Sequence, residues 1–187
     1  MSSTIFLIGY MGSGKTTLGE AVAAATGCSF MDLDDYIEQT AGMTIREIFD
    51  TRGEAAFRQM EREAMVALAS RGIDLVACGG GTPCFADNME MLNSSGLTVY
   101  LKAPHSSLLS RLKEGRAKRP LIARLNDEEL ADFITSQLSV REPFYSQATV
   151  SFDSSHLESI EQVEASVKDF LELVSSNIPD FPKSIKP

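Results

Sequence analysis

Apolar residues follow two rhythms along this chain. Short unbroken runs have the length and β-rich makeup of strands buried on both faces: Thr4 to Ile8, Cys28 to Met31, Ile73 to Cys78, Leu97 to Leu101 and Ala148 to Phe152. Between them the spacing changes to that of a helix with one apolar stripe. Leu18, Ala21, Val22 and Ala25 form one stripe, and Phe57, Met60, Ala64 and Leu68 another. Leu130, Phe133, Ile134 and Leu138 form a third; Ile160, Val163, Val167, Phe170, Leu171 and Val174 form the last. Shorter helices are predicted around Asp87 to Asn93 and His105 to Lys113. Thr44 with Glu47 and Asn126 with Glu129 have the spacing of capping boxes, the first opening a short helix from Ile45 to about Thr51. A longer helix follows from Glu54 to Ser70. Gly27 and Gly72 stand where helices end. Regular alternation of strand and helix predicts an α/β fold, with a five-stranded parallel sheet and helices on both faces.

Composition narrows the class without naming a function. A chain of 187 residues fits one domain, expected over 1–175, with a flexible tail over 176–187 that holds three prolines within its Ser175 to Pro187 surroundings. The net charge of −9 argues against a general nucleic-acid or membrane-surface binder. No apolar run approaches the ~20 residues of a membrane span. The first apolar run is too short for a signal peptide, so the expectation is a cytoplasmic protein. Cys28, Cys78 and Cys84 lack metal-ligand spacing and read as reduced thiols. His105 and His156, the only histidines, read as surface residues, and no Ser-His-Asp or metalloprotease pattern is present.

The chemistry begins at Gly9-Tyr10-Met11-Gly12-Ser13-Gly14-Lys15-Thr16, followed by Thr17. This is the G-x-x-x-x-G-K-[ST] pattern between a strand and a helix, and it points to a nucleoside triphosphate. Its glycines let successive N–H groups curl around phosphate at a helix N-terminus. Lys15 has the position that reaches the β- and γ-phosphates, and Thr16 the hydroxyl that ligates Mg²⁺. Asp32 and Asp34 fall at the carboxyl end of the second strand, the edge where open parallel sheets bind ligands. If strand geometry persists they point in opposite directions; the alternative is that Asp34 and Asp35 cap a helix. Gly79-Gly80-Gly81 at the end of the third strand implies close backbone approach, to a ligand or another segment. Arg58 and Glu61 are spaced for a ligand contact or a surface ion pair. Arg116, Lys118, Arg119 and Arg124 put a basic loop into an acidic chain, either a solvated loop or a lid over phosphates. Arg141 could complement a helix dipole or bind an anion.

Together these pieces resemble the shikimate kinase family, of the nucleoside-monophosphate-kinase-like P-loop fold, over about residues 4 to 174. The matching residues are Gly9 to Thr16, Asp32-x-Asp34, Gly53-Glu54-x-x-Phe57-Arg58-x-x-Glu61, Gly79-Gly80-Gly81, Arg119-Pro120-Leu121 and Arg141-x-Pro143-x-Tyr145. The resemblance implies a sheet of order 2-3-1-4-5 with a mobile lid at about 113–125 and a shikimate-binding part at about 33–61. It implies transfer of the ATP γ-phosphoryl group to the 3-hydroxyl of shikimate, in the chorismate route to aromatic amino acids. The implied cofactor is Mg²⁺, the partners are the small molecules ATP and shikimate, and the expected state is a monomer. Under the resemblance, Asp34, Lys15 and Arg119 are the catalytic groups. Gly12, Ser13, Gly14, Lys15, Thr16, Thr17, Arg111 and Arg119 hold the nucleotide, with the 153–156 loop near the adenine. Thr16 and Asp32 position the metal. Asp34, Arg58, Gly79, Gly80, Gly81 and Arg141 contact shikimate, supported by Phe57, Glu61 and Tyr145. Read as a pair, Arg58 and Arg141 suit the shikimate carboxylate, because guanidinium forks match carboxylates. One departure stands out: Thr82-Pro83-Cys84 replaces the Ala-Val or Ala-Ile expected of many members, predicting a stiffer turn. The rival readings are a gluconate or nucleotide kinase of the same fold, and a non-catalytic nucleotide sensor.

Overall fold

A computed structural model of the chain describes residues 4–119, 121–179 and 181. The five strands are β1 (Thr4–Ile8), β2 (Phe30–Asp32), β3 (Leu75–Ala77), β4 (Gly96–Lys102) and β5 (Val150–Asp153). They pair in parallel in the order β2-β3-β1-β4-β5. The seven helices among the described residues are α1 (Lys15–Thr26), α2 (Leu33–Ala41), α3 (Ile45–Ser70), α4 (Asn88–Ser95), α5 (His105–Glu114), α6 (Asp127–Tyr145) and α7 (Ile160–Asn177).

Strand alternation sorts the core into two layers. Ile5 and Leu7 of β1, with Leu97, Val99 and Leu101 of β4, pack against Leu18 and Val22 of α1 and Val167, Phe170 and Val174 of α7. Phe6 and Ile8, with Val76 and Tyr100, meet Leu33, Phe57, Met65, Leu108 and Leu130 from α2, α3, α5 and α6. Burying both faces explains why the strands read as unbroken apolar runs rather than alternating ones. Both expected capping boxes form: Thr44 and Glu47 bond reciprocally at the start of α3, and Asn126 and Glu129 at the start of α6. The first helix of the α3 pair and the longer one that follows are joined at Gly53, where φ 79° and ψ 172° interrupt the helical geometry.

Some boundaries differ from expectation for identifiable reasons. The second strand ends at Asp32, and the helix begins at once with Leu33. The capping group is Asp32, whose carboxylate accepts from the Asp34 N–H at 3.0 Å. Asp34 and Asp35 therefore lie inside the first turn, and the strand alternation expected for Asp32 and Asp34 does not apply. Helix α6 does not end at Arg141 but continues through Pro143 to Tyr145. The hydrogen bond lost at Pro143 would have gone to the carbonyl of Ser139, an exposed residue whose oxygen water can solvate. Arg141 is thus not a terminal residue, and the dipole reading falls away. Ile160 is 75% exposed rather than buried, because Ser159 and Gln162 cap α7 there and its apolar seam meets the sheet only from Val163 onward. His105 is half-buried, its Nε2 3.1 Å from the Ala131 carbonyl oxygen, so it ties α5 to α6. Helix α7 runs to Asn177, and Phe181 packs into the core beyond it. Pro120, Asp180 and 182–187 lie outside the described residues, taking with them part of the expected lid motif and most of the expected tail.

Candidate active site

The Gly9–Thr16 loop joins β1 to α1 and curls as its glycines predict. Gly12 and Gly14 have φ of 79° and 91°, a region closed to most side chains. A Cβ at Gly14 would lie 2.3 Å from Leu157 Cδ1, so the segment entering α7 packs directly onto the loop. The loop floors a cleft of about 450 Å³, to which Gly12, Gly14, Lys15, Thr16 and Thr17 contribute. Arg111, Arg119 and Leu157 form its walls. Ser13 is turned inward, its side chain 1% exposed and its hydroxyl without a partner among the described residues, while its N–H donates to the Tyr10 carbonyl at 3.1 Å.

Lys15 Nζ donates to the carbonyl oxygens of Gly9 and Tyr10, both at 2.9 Å. Burial lowers its pKa to about 8, although Asp32 and Asp34 pull the other way. A phosphate at the loop would restore the preference for charge. Thr16 Oγ1 donates to Asp32 Oδ2 at 2.9 Å, placing a hydroxyl and a carboxylate side by side at the start of α1. Arg111 reaches across the cleft: Nη1 donates to the Gly12 carbonyl at 3.2 Å, and Nη2 to the Ser154 and Ser155 carbonyls at 2.8 and 3.1 Å. Its Nε and Nη2 also pair with Glu158. Arg111 therefore ties the phosphate loop to the 153–156 segment.

The second half of the site is built on the triple glycine after β3. Each glycine faces one of the expected acceptor residues at close range. A Cβ at Gly79 would lie 3.1 Å from Asp34 Oδ1. One at Gly80 would lie 3.5 Å from Arg141 Nη1 and 3.4 Å from the Met11 backbone nitrogen. One at Gly81 would lie 3.3 Å from both Arg58 Nη1 and Nη2. Three consecutive residues without side chains thus line up a carboxylate and two guanidinium groups beside the phosphate loop.

Each of those charged groups has its own support. Burial raises the Asp34 pKa to about 6, and the neighbouring Asp32 and Glu61 carboxylates add to the shift while Lys15 opposes it. Arg58 Nη1 donates to Glu61 Oε2 at 2.6 Å, and Nη2 pairs with Glu54 at 3.2 Å. The ion pair expected from the spacing forms, but Glu61 is 1% exposed and Arg58 is partly buried, so it is not a surface pair. The Phe57 ring centroid lies 5.4 Å from the Arg58 guanidinium carbon. Arg141 donates to Gln137 Oε1 at 2.9 Å and has its guanidinium carbon 5.6 Å from the Tyr10 ring centroid. Tyr145 donates to the Gly80 carbonyl at 2.6 Å, fixing the glycine row against α6.

The basic loop is less free than its sequence suggests. Arg116 pairs with Asp127 and donates to the Leu125 carbonyl, and Ile122 is fully buried in the core. Arg119, by contrast, donates to the Gly115 carbonyl at 3.1 Å and lines the cleft. Residues that sequence reasoning missed include Tyr10, Gln137 and Leu157. Tyr10 was hidden among the variable positions of the phosphate-loop pattern, and nothing in the sequence marks the other two.

The shikimate kinase family model matches residues 11–173. The shikimate kinase of Phocaeicola vulgatus is 47% identical over 163 residues, covering 87% of this chain and 93% of the relative. The crystal structure of shikimate kinase from Bacteroides thetaiotaomicron aligns with a TM-score of 0.88 at 44% identity, over 92% of this chain and 98% of that one. Shikimate kinase from Acinetobacter baumannii in complex with shikimate aligns with a TM-score of 0.79 at 33% identity, over 94% of each chain. Five parallel strands in the order 2-3-1-4-5, a phosphate loop opening α1 and relatives of this identity over most of the length lead to one conclusion: the chain belongs to the shikimate kinase family.

Proposed function

We propose that this enzyme binds ATP in the cleft over Gly12 to Thr17 and transfers its γ-phosphoryl group to the 3-hydroxyl of shikimate held against Gly79 to Gly81. The observation that carries the reading is the glycine row facing Asp34, Arg141 and Arg58 in turn, next to the phosphate loop. Shikimate offers one carboxylate and three hydroxyls. Arg58 and Arg141 take the carboxylate, each charge-assisted bond contributing about 1.5–3 kcal/mol. Asp34 accepts from the reacting hydroxyl and takes its proton, a role suited to a carboxyl group whose pKa is raised to about 6 and which is still ionised near neutrality. Phe57, Glu61 and Tyr145 hold the pocket around these groups.

Phosphoryl transfer needs positioning and neutralisation of the phosphate oxygens more than covalent chemistry. Lys15 and Arg119 supply positive charge on the nucleotide side. Lys15 leaves the Gly9 and Tyr10 carbonyls for phosphate oxygens, and Arg119 leaves the Gly115 carbonyl. Arg111 supports the adenine end through the 153–156 segment. The Thr16 hydroxyl and Asp32 carboxylate form a hard-oxygen pair at the helix terminus, a donor set that fits Mg²⁺ held partly by phosphates and water. When bound there, the metal would neutralise charge on the phosphate oxygens.

The test is ADP release from Mg-ATP by the purified protein, compared across shikimate, gluconate, nucleoside monophosphates and no acceptor. Turnover dependent on shikimate is the expected result. Turnover with another acceptor would keep the phosphate-loop chemistry but overturn the acceptor assignment.

A further inference from the structure

The turn after the triple glycine, where the sequence departs from the expected family pattern, is wired into the acceptor side of the site. Thr82 to Cys84 form a single 3-10 turn, and Thr82 is fully buried. Its Oγ1 donates to Glu61 Oε1 at 2.6 Å. The other oxygen of Glu61, Oε2, accepts from Arg58 Nη1 at 2.6 Å. A carboxylate that is 1% exposed is thus held at both oxygens, one by a hydroxyl and the other by the guanidinium assigned to shikimate.

The turn has its own anchors. Asn88 Nδ2 donates to the Thr82 carbonyl at 2.8 Å, and Arg62 Nη1 donates to Asn88 Oδ1 at 3.1 Å. Phe85, the residue after the turn, has its ring centroid 5.7 Å from the Arg58 guanidinium carbon. One short turn therefore supports Arg58 twice, through Glu61 and through an aromatic face. The point where a Cβ would stand on Gly79 lies 3.0 Å from Thr82 Oγ1, 3.1 Å from Asp34 Oδ1 and 3.4 Å from Glu61 Oε1. Two of those three oxygens belong to carboxylates, and the hydroxyl among them is committed to Glu61.

We propose that Thr82 is a positioning residue for the acceptor: its hydroxyl orients Glu61, and through Glu61 the Arg58 guanidinium, for the shikimate carboxylate. The inference rests on the reading of Arg58 given under the proposed function. An alanine at this position has no donor for Glu61 Oε1. The buried carboxylate would then be free to rotate toward another partner, because an unmet buried oxygen is costly. The effect belongs to acceptor binding, since the Thr82 hydroxyl bonds Glu61 and Glu61 in turn bonds Arg58.

The test compares Thr82→Val, which keeps the shape without the hydroxyl, Thr82→Ala, which removes both, and Thr82→Ser, which keeps the hydroxyl. The expected result is a KM for shikimate raised about five- to twentyfold in the Val and Ala variants, with kcat and the KM for ATP within about twofold, and near-native constants for Ser. That range corresponds to loss of about one buried hydrogen bond. Native shikimate KM in the Val and Ala variants would overturn the proposal, as would a Ser variant impaired as much as Val, or equal rises in both KM values. If Thr82→Val does not fold, the Ala and Ser pair carries the same comparison. Native enzyme inactive with shikimate would remove the functional reading and this proposal together, whereas native turnover with unaffected variants would remove this proposal alone.

Discussion

At Asp34 the fold holds a carboxyl group against its preference for water. Its pKa stands at about 6 in the folded chain against 3.8 ordinarily, chiefly through burial. The folded state therefore binds more protons than the unfolded chain between about pH 4 and 6, and stability from this group falls as pH rises through that window. Asp34→Asn removes the cost. Without nucleotide or metal, it should stabilise the protein at pH 7 by on the order of 3 kcal/mol, and the gain should vanish below about pH 4. Urea denaturation at both pH values reads this directly. The same substitution should lower kcat by about 10²–10⁴ if Asp34 is the general base. A variant more stable yet inactive is the signature of a group kept for chemistry. Arg141 gives the complementary case. Arg141→Ala should weaken shikimate binding by about 2–5 kcal/mol and leave ATP binding little changed, as measured by calorimetry. Equal shikimate affinity in the variant would remove Arg141 from the carboxylate clamp.

At the scale of elements, the bend in α3 decides where Phe57, Arg58 and Glu61 point. Gly53 adopts φ 79° and ψ 172°, a conformation open in practice only to glycine. No atom of the described residues lies within 4 Å of a Cβ placed there, so Gly53→Ala tests the backbone alone. The expected cost is about 1–3 kcal/mol in a thermal or urea melt, with a raised KM for shikimate because Arg58 lies one turn beyond the bend. An unchanged melt would mean the bend relaxes without strain. These local features were the legible ones. The capping boxes of α3 and α6 each need only residues three apart, and both form where their residues fall. The start of α2 was not legible, because Asp32, Asp34 and Asp35 all offer capping carboxylates and only the end of β2 selects among them. The residues proposed for the acceptor come from the family pattern, not from spacing. Arg58 and Glu61 by themselves suggest an ion pair, and that pair does form. What spacing could not say is that the pair is buried against Thr82, a contact made across 21 residues of sequence. Tyr10 under Arg141 is equally non-local.

For the whole molecule, the site lies along one edge of the sheet, with the nucleotide cleft and the glycine row meeting at the phosphate loop. The two halves differ in how firmly they are held. Around Gly79 to Gly81, support comes from α2, α3 and α6. The basic segment is anchored at Ile122 and Arg116, yet the backbone N–H of Arg119 bonds only within the segment, to the Arg116 carbonyl at 3.0 Å. Adding an ATP analogue should therefore slow hydrogen exchange in residues 115–119 while leaving the strands little changed. Equal protection with and without nucleotide would mean that the segment does not respond to phosphate.

The position of β1 also bears on how the chain is made. It is the central strand, yet it is the first to leave the ribosome. Its neighbours pair at Leu75 on one side and from Gly96 on the other. At ~5–20 residues per second, β1 waits on the order of 5–20 s before both edges can be covered. During that interval the future phosphate loop is attached to an apolar strand with open hydrogen-bonding edges, a form prone to wrong pairing. Synthesis order thus exposes the strand leading into the phosphate loop longest. Nascent chains arrested with β4 still inside the exit tunnel and with β4 just outside it should show the change, with protease resistance of β1 rising only once Gly96 to Lys102 has cleared the tunnel.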